Sequence, residues 1–270
     1  MILVNGAVAD SVAVTDRGFA YGDGVFRTLL VKQRKPQCWG RQYRKLAHDC
    51  AGLALPCPGQ ELLAEEIACV SCEQGDCVVK IVVTRGSGER GYAPPPSPTP
   101  TRVVMTSALP RYPDEFTRSG VAVHLCRMRL AAQPRLAGIK HLNRLENVLA
   151  RAEWNDPTLP EGLMLDEEGN AIGGTMTNLF IADGGALATP DLSRCGVAGV
   201  TRERVQAAAA RHGVACSVEP LELERVLAAE EVFVVNSIIG AWPVKVLGEK
   251  RWRPGPCATR VQQWLDEDDD

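Results

Sequence analysis

Five prolines in seven residues, Pro94-Pro95-Pro96-Ser97-Pro98-Thr99-Pro100, mark a stretch that can enter neither a sheet ladder nor a helix interior. It must be a stiff loop, and regular structure has to be arranged on either side of it. Before it, short apolar runs alternate with helical patterns, which argues for a mixed α/β domain. The expected strands are 2–5, 25–32, 78–84 and 102–107, and the expected helices 40–53 and 59–73. A second break, Leu109-Pro110-Arg111-Tyr112-Pro113, sets the domain boundary. With 270 residues the chain is long enough for two cores. The expectation is therefore a smaller α/β domain over 1–108, a linker over 109–115 and a larger α/β domain over 116–270.

In the larger part the pattern predicts strands near 120–127, 162–166, 178–182, 231–236 and 243–247. Helices are expected near 141–155, 201–212, 221–229 and 256–266. In the first of these helices Leu142, Leu145, Val148, Leu149 and Ala152 recur at helical spacing and read as a buried stripe. Lys140, Asn143, Arg144 and Asn147 then fall together on another side, offered to a cleft.

Charge narrows the function classes. The net charge is −3 and the basic residues are scattered, so neither nucleic acid nor a membrane is an expected partner. The acidic run Asp266 to Asp270 reads as a frayed, solubilising end. No stretch approaches membrane-spanning length, and Met1 to Gly6 lacks the pattern of a signal peptide, so a cytoplasmic protein is expected. The ten cysteines, spread through a chain of this length, read as reduced thiols. Cys69, Cys72 and Cys77 have metal-like spacing but no second cluster follows, and no metal site is expected.

Only seven of the thirty Lys plus Arg residues are lysines. A chain that meets its positive charge with arginine uses lysine where a primary amine is required, and Lys140 in Gly138-Ile139-Lys140-His141-Leu142-Asn143-Arg144 is the leading candidate. Gly86-Ser87-Gly88-Glu89-Arg90-Gly91 matches a dinucleotide pattern, but Tyr92-Ala93 leads into prolines instead of a helix, so nicotinamide or flavin binding is rejected. Those glycines more naturally shape a loop that aims Arg90 and Tyr92. Gly196-Val197-Ala198-Gly199-Val200-Thr201-Arg202 feeds a helix whose N-terminus suits a phosphate. Gly169 to Phe180 reads as a turn, a glycine kink and a strand. An amine, an anion cradle and a flat wall are the parts that a pyridoxal phosphate site requires.

These residues resemble the aminodeoxychorismate lyase branch of the fold-type IV pyridoxal-phosphate enzymes, which also include branched-chain and D-amino-acid aminotransferases. The resemblance runs nearly end to end. It is carried by Asp16-Arg17-Gly18, Tyr21-Gly22-Asp23-Gly24-Val25-Phe26, Arg85 to Tyr92, Leu136 to Glu146, Thr177-Asn178-Leu179-Phe180, Gly196 to Arg202 and Asn236-Ser237. It implies a homodimer whose protomer has two α/β domains, the active site in the cleft between them and the lysine on the C-terminal domain. It implies pyridoxal 5'-phosphate as cofactor and 4-amino-4-deoxychorismate as substrate, converted to 4-aminobenzoate and pyruvate. Lys140 would form the imine with the cofactor and remove the substrate proton, and Thr28 would help protonate the departing enolpyruvate. Val200, Thr201 and Ser237 would hold the phosphate. Tyr21, Arg90, Tyr92 and Asn236 would line the substrate side.

Three positions depart from that pattern. Gly173 stands where the family usually pairs a glutamate with the pyridine nitrogen, and restoring Gly173→Glu is expected to raise activity if a weak electron sink limits turnover. Lys45 stands where the family has the phosphate arginine, with Gln42 in place of a neighbouring histidine; Arg41 or Arg44 could substitute. Arg27 occupies a commonly acidic position. An aminotransferase of the same fold and a catalytically weak binding protein are the competing readings.

Overall fold

The computed structural model describes residues 1–267. Its contacts divide the chain into two units. Among the described residues, unit 1 comprises Met1–Pro110 with Ile139–Asn143, and unit 2 comprises Arg111–Gly138 with residues 144–267. The lysine segment, residues 139–143, groups with unit 1.

Unit 1 contains β1 (Ile2–Val4), β2 (Ala7–Val8), α1 (Arg17–Tyr21), β3 (Gly24–Lys32), β4 (Lys35–Pro36), α2 (Trp39–Gly52), α3 (Gln60–Ser71), β5 (Cys77–Thr84) and β6 (Thr101–Ala108). Its antiparallel sheet runs in the order β2-β1-β6-β5-β3-β4. Strand alternation sends Val25, Leu29 and Val31 into a core with Leu46 and Cys50 of α2 and with Leu63, Ile67 and Val70 of α3. Arg27 falls on this inward face, while Phe26 and Thr28 fall on the other. The proline run leads directly into β6.

Residues 140–142 extend the same sheet. Val25 bridges His141, the Phe26 N–H donates to the Lys140 carbonyl (3.0 Å) and the Leu142 N–H donates to the Gly24 carbonyl (2.9 Å). Lys140 thus lies on extended backbone against β3, and the helix expected from residue 141 begins only at Leu145.

Unit 2 contains α4 (Asp114–Arg118), β7 (Val121–Leu130), α5 (Leu145–Arg151), β8 (Glu161–Asp166), β9 (Ala171–Gly174), β10 (Asn178–Asp183), β11 (Ala186–Pro190), α6 (Val200–Arg211), β12 (Cys216–Glu219), α7 (Leu223–Ala228), β13 (Glu231–Asn236), β14 (Gly240–Leu247), β15 (Lys250–Arg251) and α8 (Pro256–Glu267). The path β10-β13-β14-β7-β8-β9 returns to β10 through the pair Asn178–Gly173, so six strands close into a barrel. Alternation fills its interior with Leu163, Leu165, Leu179, Ile181, Val232 and Val234. The intervening Phe180, Ala182, Phe233 and Val235 face outward and pack with residues of α6 and α8. Phe180 and Phe233 stack with their ring centroids 5.2 Å apart.

The buried leucine stripe is corrected here. Helix α5 has seven residues, and Leu145 (73% exposed), Val148 (59%) and Leu149 (55%) point to solvent, as does Ala152. Polar groups hold the helix instead: Asn147 donates to the Thr175 carbonyl (2.9 Å), and Glu146 accepts the Ala131 N–H (2.9 Å). Lys140 and Asn143 lie outside the helix, so they share no helical face with Arg144 and Asn147.

After α5, Glu153 accepts the Arg127 and Met128 N–H groups (2.7 Å each) and bonds His124, where the register of β7 shifts between Leu125 and Arg129. Burial raises the Glu153 carboxyl, but these bonds outweigh it and hold the group down at about 2. All ten cysteines are free thiols, with Cys69 and Cys72 exposed and Cys77 buried. Asp266 and Glu267 are the exposed last residues of α8; the rest of the acidic run, 268–270, lies outside the described residues.

Candidate active site

Unit 1 holds the lysine from several directions. The Lys140 carbonyl accepts from Phe26, its N–H donates to Asp49 Oδ2 (3.0 Å), and its Nζ lies 4.6 Å from the centroid of the Phe26 ring. Thr28 follows Phe26 on the same face of β3 and pairs in register with Lys80, whose Nζ lies 4.9 Å from the Phe26 centroid. Two amines and a hydroxyl therefore share this face. Lys80 was missed by sequence reasoning, although its place among the seven lysines was a usable signal.

Asp49 lies at the centre of a second cluster. It is fully buried, pairs with Arg27 and with Lys45 Nζ (3.5 Å), and contacts His48. Burial lowers the Arg27 guanidinium below its usual range, and Asp49 draws it back. Both charges stand at inward positions of the pattern, Arg27 between Val25 and Leu29, and Asp49 three residues after Leu46. That coincidence was legible as a buried pair.

The loop carrying Arg90 and Tyr92 is bound through Arg17. Its guanidinium donates to the carbonyls of Gly91 (3.0 Å), Tyr92 (2.9 Å) and Ala93 (3.3 Å), and its Nε donates to Asp23 (2.8 Å). Arg85 donates to the same carboxylate at 2.8 and 3.0 Å. Burial opposes ionisation of Asp23, but Arg85 and Arg17 hold its carboxyl below the ordinary range. The Tyr21 hydroxyl accepts the Gly91 N–H (3.2 Å), and the Tyr21 and Tyr92 rings lie 5.4 Å apart. Arg90 and Tyr92 themselves are exposed.

Unit 2 brings a helix N-terminus and two hydroxyls together. Helix α6 begins after Gly199, which has no side chain to cap it, and Val200 and Thr201 form its first turn. Thr201 Oγ1 and Ser237 Oγ lie 3.3 Å apart. Asn178 donates to the Val197 carbonyl (2.7 Å) and accepts the Gly199 N–H (3.1 Å), so it fixes the loop before the helix. Hydroxyls together with the positive end of a 12-residue helix suit a phosphate. Asn236 accepts the Ile238 and Ile239 N–H groups (2.8 and 2.9 Å) and donates to the Met176 carbonyl (3.2 Å).

The turn 174–177 is held by Glu161, another residue that sequence reasoning missed. Its carboxyl accepts the N–H groups of Gly162, Thr175 and Met176 and the hydroxyls of Thr175 and Thr177, at 2.6–3.2 Å. Burial raises this carboxyl above its ordinary range against the pull of those donors. Gly173 sits at the closing seam of the barrel, paired with Met164 and Asn178. A Cβ there would lie 2.8 Å from the Thr177 carbonyl oxygen, so any side chain at 173 must displace backbone.

The chain is similar over most of its length to known proteins. Aminodeoxychorismate lyase of Vibrio harveyi is 32% identical over 244 residues, which are 90% of each chain. A putative branched-chain-amino-acid aminotransferase of Methanocaldococcus jannaschii is 30% identical over 254 residues, covering 90% of this chain and 86% of that protein. Among solved structures, 4-amino-4-deoxychorismate lyase from Pseudomonas aeruginosa superposes with a TM-score of 0.95 at 43% identity over 99% of each chain. Residues 24–247 match a family pattern that spans both units. The chain belongs to the amino-transferase class IV family.

Proposed function

We propose that the protein is a pyridoxal-phosphate-dependent lyase that converts 4-amino-4-deoxychorismate to 4-aminobenzoate and pyruvate. The observation that carries this reading is Lys140, whose amine lies over Phe26 on the strand face that presents Thr28, in a chain similar over nearly its whole length to proteins of that activity. Pyridoxal phosphate, when bound, supplies an aldehyde for amines and a conjugated ring that takes up an electron pair. Val200 and Thr201 would hold its phosphate through first-turn N–H groups, with the hydroxyls of Thr201 and Ser237 and the charge of Lys45.

In the reaction the Lys140 amine takes the proton from the substrate carbon bearing the amino group. The ether C–O bond then breaks as the ring aromatises. The Thr28 hydroxyl passes a proton to the departing enolpyruvate, which becomes pyruvate. Arg90 and Lys80 provide cations for the two substrate carboxylates, and Tyr21, Tyr92 and Asn236 line the substrate. Gly173 offers the ring nitrogen no carboxylate. A lyase tolerates this better than an aminotransferase does, because aromatisation drives the elimination, whereas transamination must hold a free carbanion long enough to reprotonate it.

A homodimer is part of the proposal. Leu145, Val148 and Leu149 on α5, with Val14 and Phe19 of unit 1 exposed by 80% and 73%, are apolar surface of the kind a second copy covers. A cytoplasmic location fits a chain whose described residues include no helix long and apolar enough to cross a membrane.

The test pairs a visible absorption spectrum in added pyridoxal phosphate with pyruvate release from aminodeoxychorismate. The wild type is expected to give a band and pyruvate, and Lys140→Ala neither. A band that survives the substitution overturns Lys140 as the anchor. Glutamate accumulating from an amino acid and 2-oxoglutarate, with no pyruvate released, would replace the lyase with an aminotransferase.

A further inference from the structure

Arg27 and Asp49 form a buried ion pair beside the apolar core of unit 1. Such a pair does not earn its place by stability, since desolvation consumes most of the attraction and apolar residues of similar volume often do as well or better. The Arg27 Nε is also buried without a hydrogen-bond acceptor, a further cost that a purely structural pair has no reason to carry. What the pair does is visible in the second bond made by the same carboxylate oxygen: Asp49 Oδ2 takes Arg27 and also the main-chain N–H of Lys140 (3.0 Å).

The peptide groups of the lysine are thereby fixed on both sides. Phe26 binds its carbonyl and lies under its amine, while the next residue of β3, Arg27, holds the carboxylate that binds its N–H. On a sheet edge the N–H of an added residue has no assured acceptor, and a charged acceptor is roughly twice as strong as a neutral one. The other oxygen of Asp49 faces Lys45 Nζ (3.5 Å), the cation expected at the phosphate. One carboxylate of α2 therefore binds the Lys140 peptide and, one turn back along the same helix, the Lys45 amine, and Arg27 keeps the sum of Arg27, Asp49 and Lys45 positive.

We propose that Asp49, balanced by the buried Arg27, is a positioning residue that fixes the backbone of Lys140 and its spacing from Lys45, a role that rests on the function proposed above. The residue touches no reacting atom. It acts by denying the lysine peptide alternative orientations, so that the amine stays over Phe26.

Two double variants separate this role from core filling. Arg27→Met/Asp49→Asn removes both charges and keeps an acceptor oxygen for the Lys140 N–H. Arg27→Met/Asp49→Leu removes the charges and the acceptor together. Neither leaves Arg27 or Asp49 charged without the other, and Lys45 loses its Asp49 partner equally in both, so both are expected to fold, as circular dichroism and thermal unfolding would register. The first readout is hydrogen exchange at the Lys140 amide in protein without cofactor. The Leu variant should exchange about tenfold faster than the Asn variant, the equivalent of one hydrogen bond. The second is titration with pyridoxal phosphate, in which the Leu variant should bind about tenfold more weakly than the Asn variant. Equal exchange and equal affinity in the two variants would overturn the inference and leave the pair as filling. If the wild type gives no visible band while the exchange difference persists, the cofactor reading fails and the tether on Lys140 stands.

Discussion

The two units fix their candidate residues by different means. In unit 1 Asp23 and Asp49 are met mainly by cations, Asp23 by Arg17 and Arg85, and Asp49 by Arg27 and Lys45 with a single main-chain N–H, that of Lys140, beside them. In unit 2 the central carboxylate, Glu161, is met by three main-chain N–H groups and two hydroxyls, all neutral among the described residues. The difference teaches something about replaceability. An ion pair can be removed as a pair, because both charges belong to side chains. Glu161 cannot be removed in the same way, since no side-chain substitution takes away the three main-chain N–H groups it satisfies.

The largest expected effect tests that contrast. Glu161→Ala leaves five donors without their acceptor, two of them buried and three partly buried, around a cavity, and urea unfolding should register a loss of about 4 kcal/mol or more. If Glu161→Ala costs no more than a double replacement of Arg27 and Asp49, the distinction between the units fails.

A smaller effect comes from acid. Glu153 has its carboxyl held at about 2, against an ordinary 4.5. A carboxyl depressed on folding contributes stability that is complete above its unfolded value and is lost as the pH falls through its folded value. Glu153→Gln should therefore unfold at a lower temperature than wild type at neutral pH, and the two melting curves should converge between pH 4.5 and 2. A gap independent of pH would mean that packing, and not the charge, supplies the contribution.

The smallest effect concerns an exposed position. Val148→Glu on α5 should change unfolding free energy by no more than about 0.5 kcal/mol, while sedimentation of the variant shifts toward the monomer. An unchanged sedimentation profile would remove that face from the proposed dimer.

Much of the sheet structure was legible because strand alternation and β-branched runs are local signals. Strands β3, β5 and β6 lie within a residue of their expected bounds at each end. The helix expected over 141–155 failed for a nonlocal reason. Residues 140–142 pair with β3, more than a hundred positions earlier, and the periodicity that includes Leu142 crosses two different backbone conformations. From Leu145 the spacing was helical, but hydrogen bonds from Asn147 and Glu146 decide which side turns inward. Within the candidate site, Lys140 and Thr201 stand out by residue type and setting, whereas Thr28 and Ser237 were named through the family resemblance. Glu161 and Asp49 could not be assigned roles that way, since their partners come from turns and strands remote in sequence. Gly173 was visible as a missing acid, but the Thr177 carbonyl beside it appears only once the barrel closes. A glutamate restored there must first move that carbonyl, a cost set by a contact between strands and not by local sequence.

The loop from Arg85 to Pro100 is closed at its base by the pairing of Thr84 with Thr101, and Arg17 clasps the carbonyls of residues 91–93 on one limb. The proline limb is tied by few such bonds, and lengthening a closed loop costs only about 0.6 kcal/mol for each doubling. The segment is thus built like an interchangeable cartridge. Its proline limb can change in length at little cost, while the clasp and the strands that carry it stay as they are.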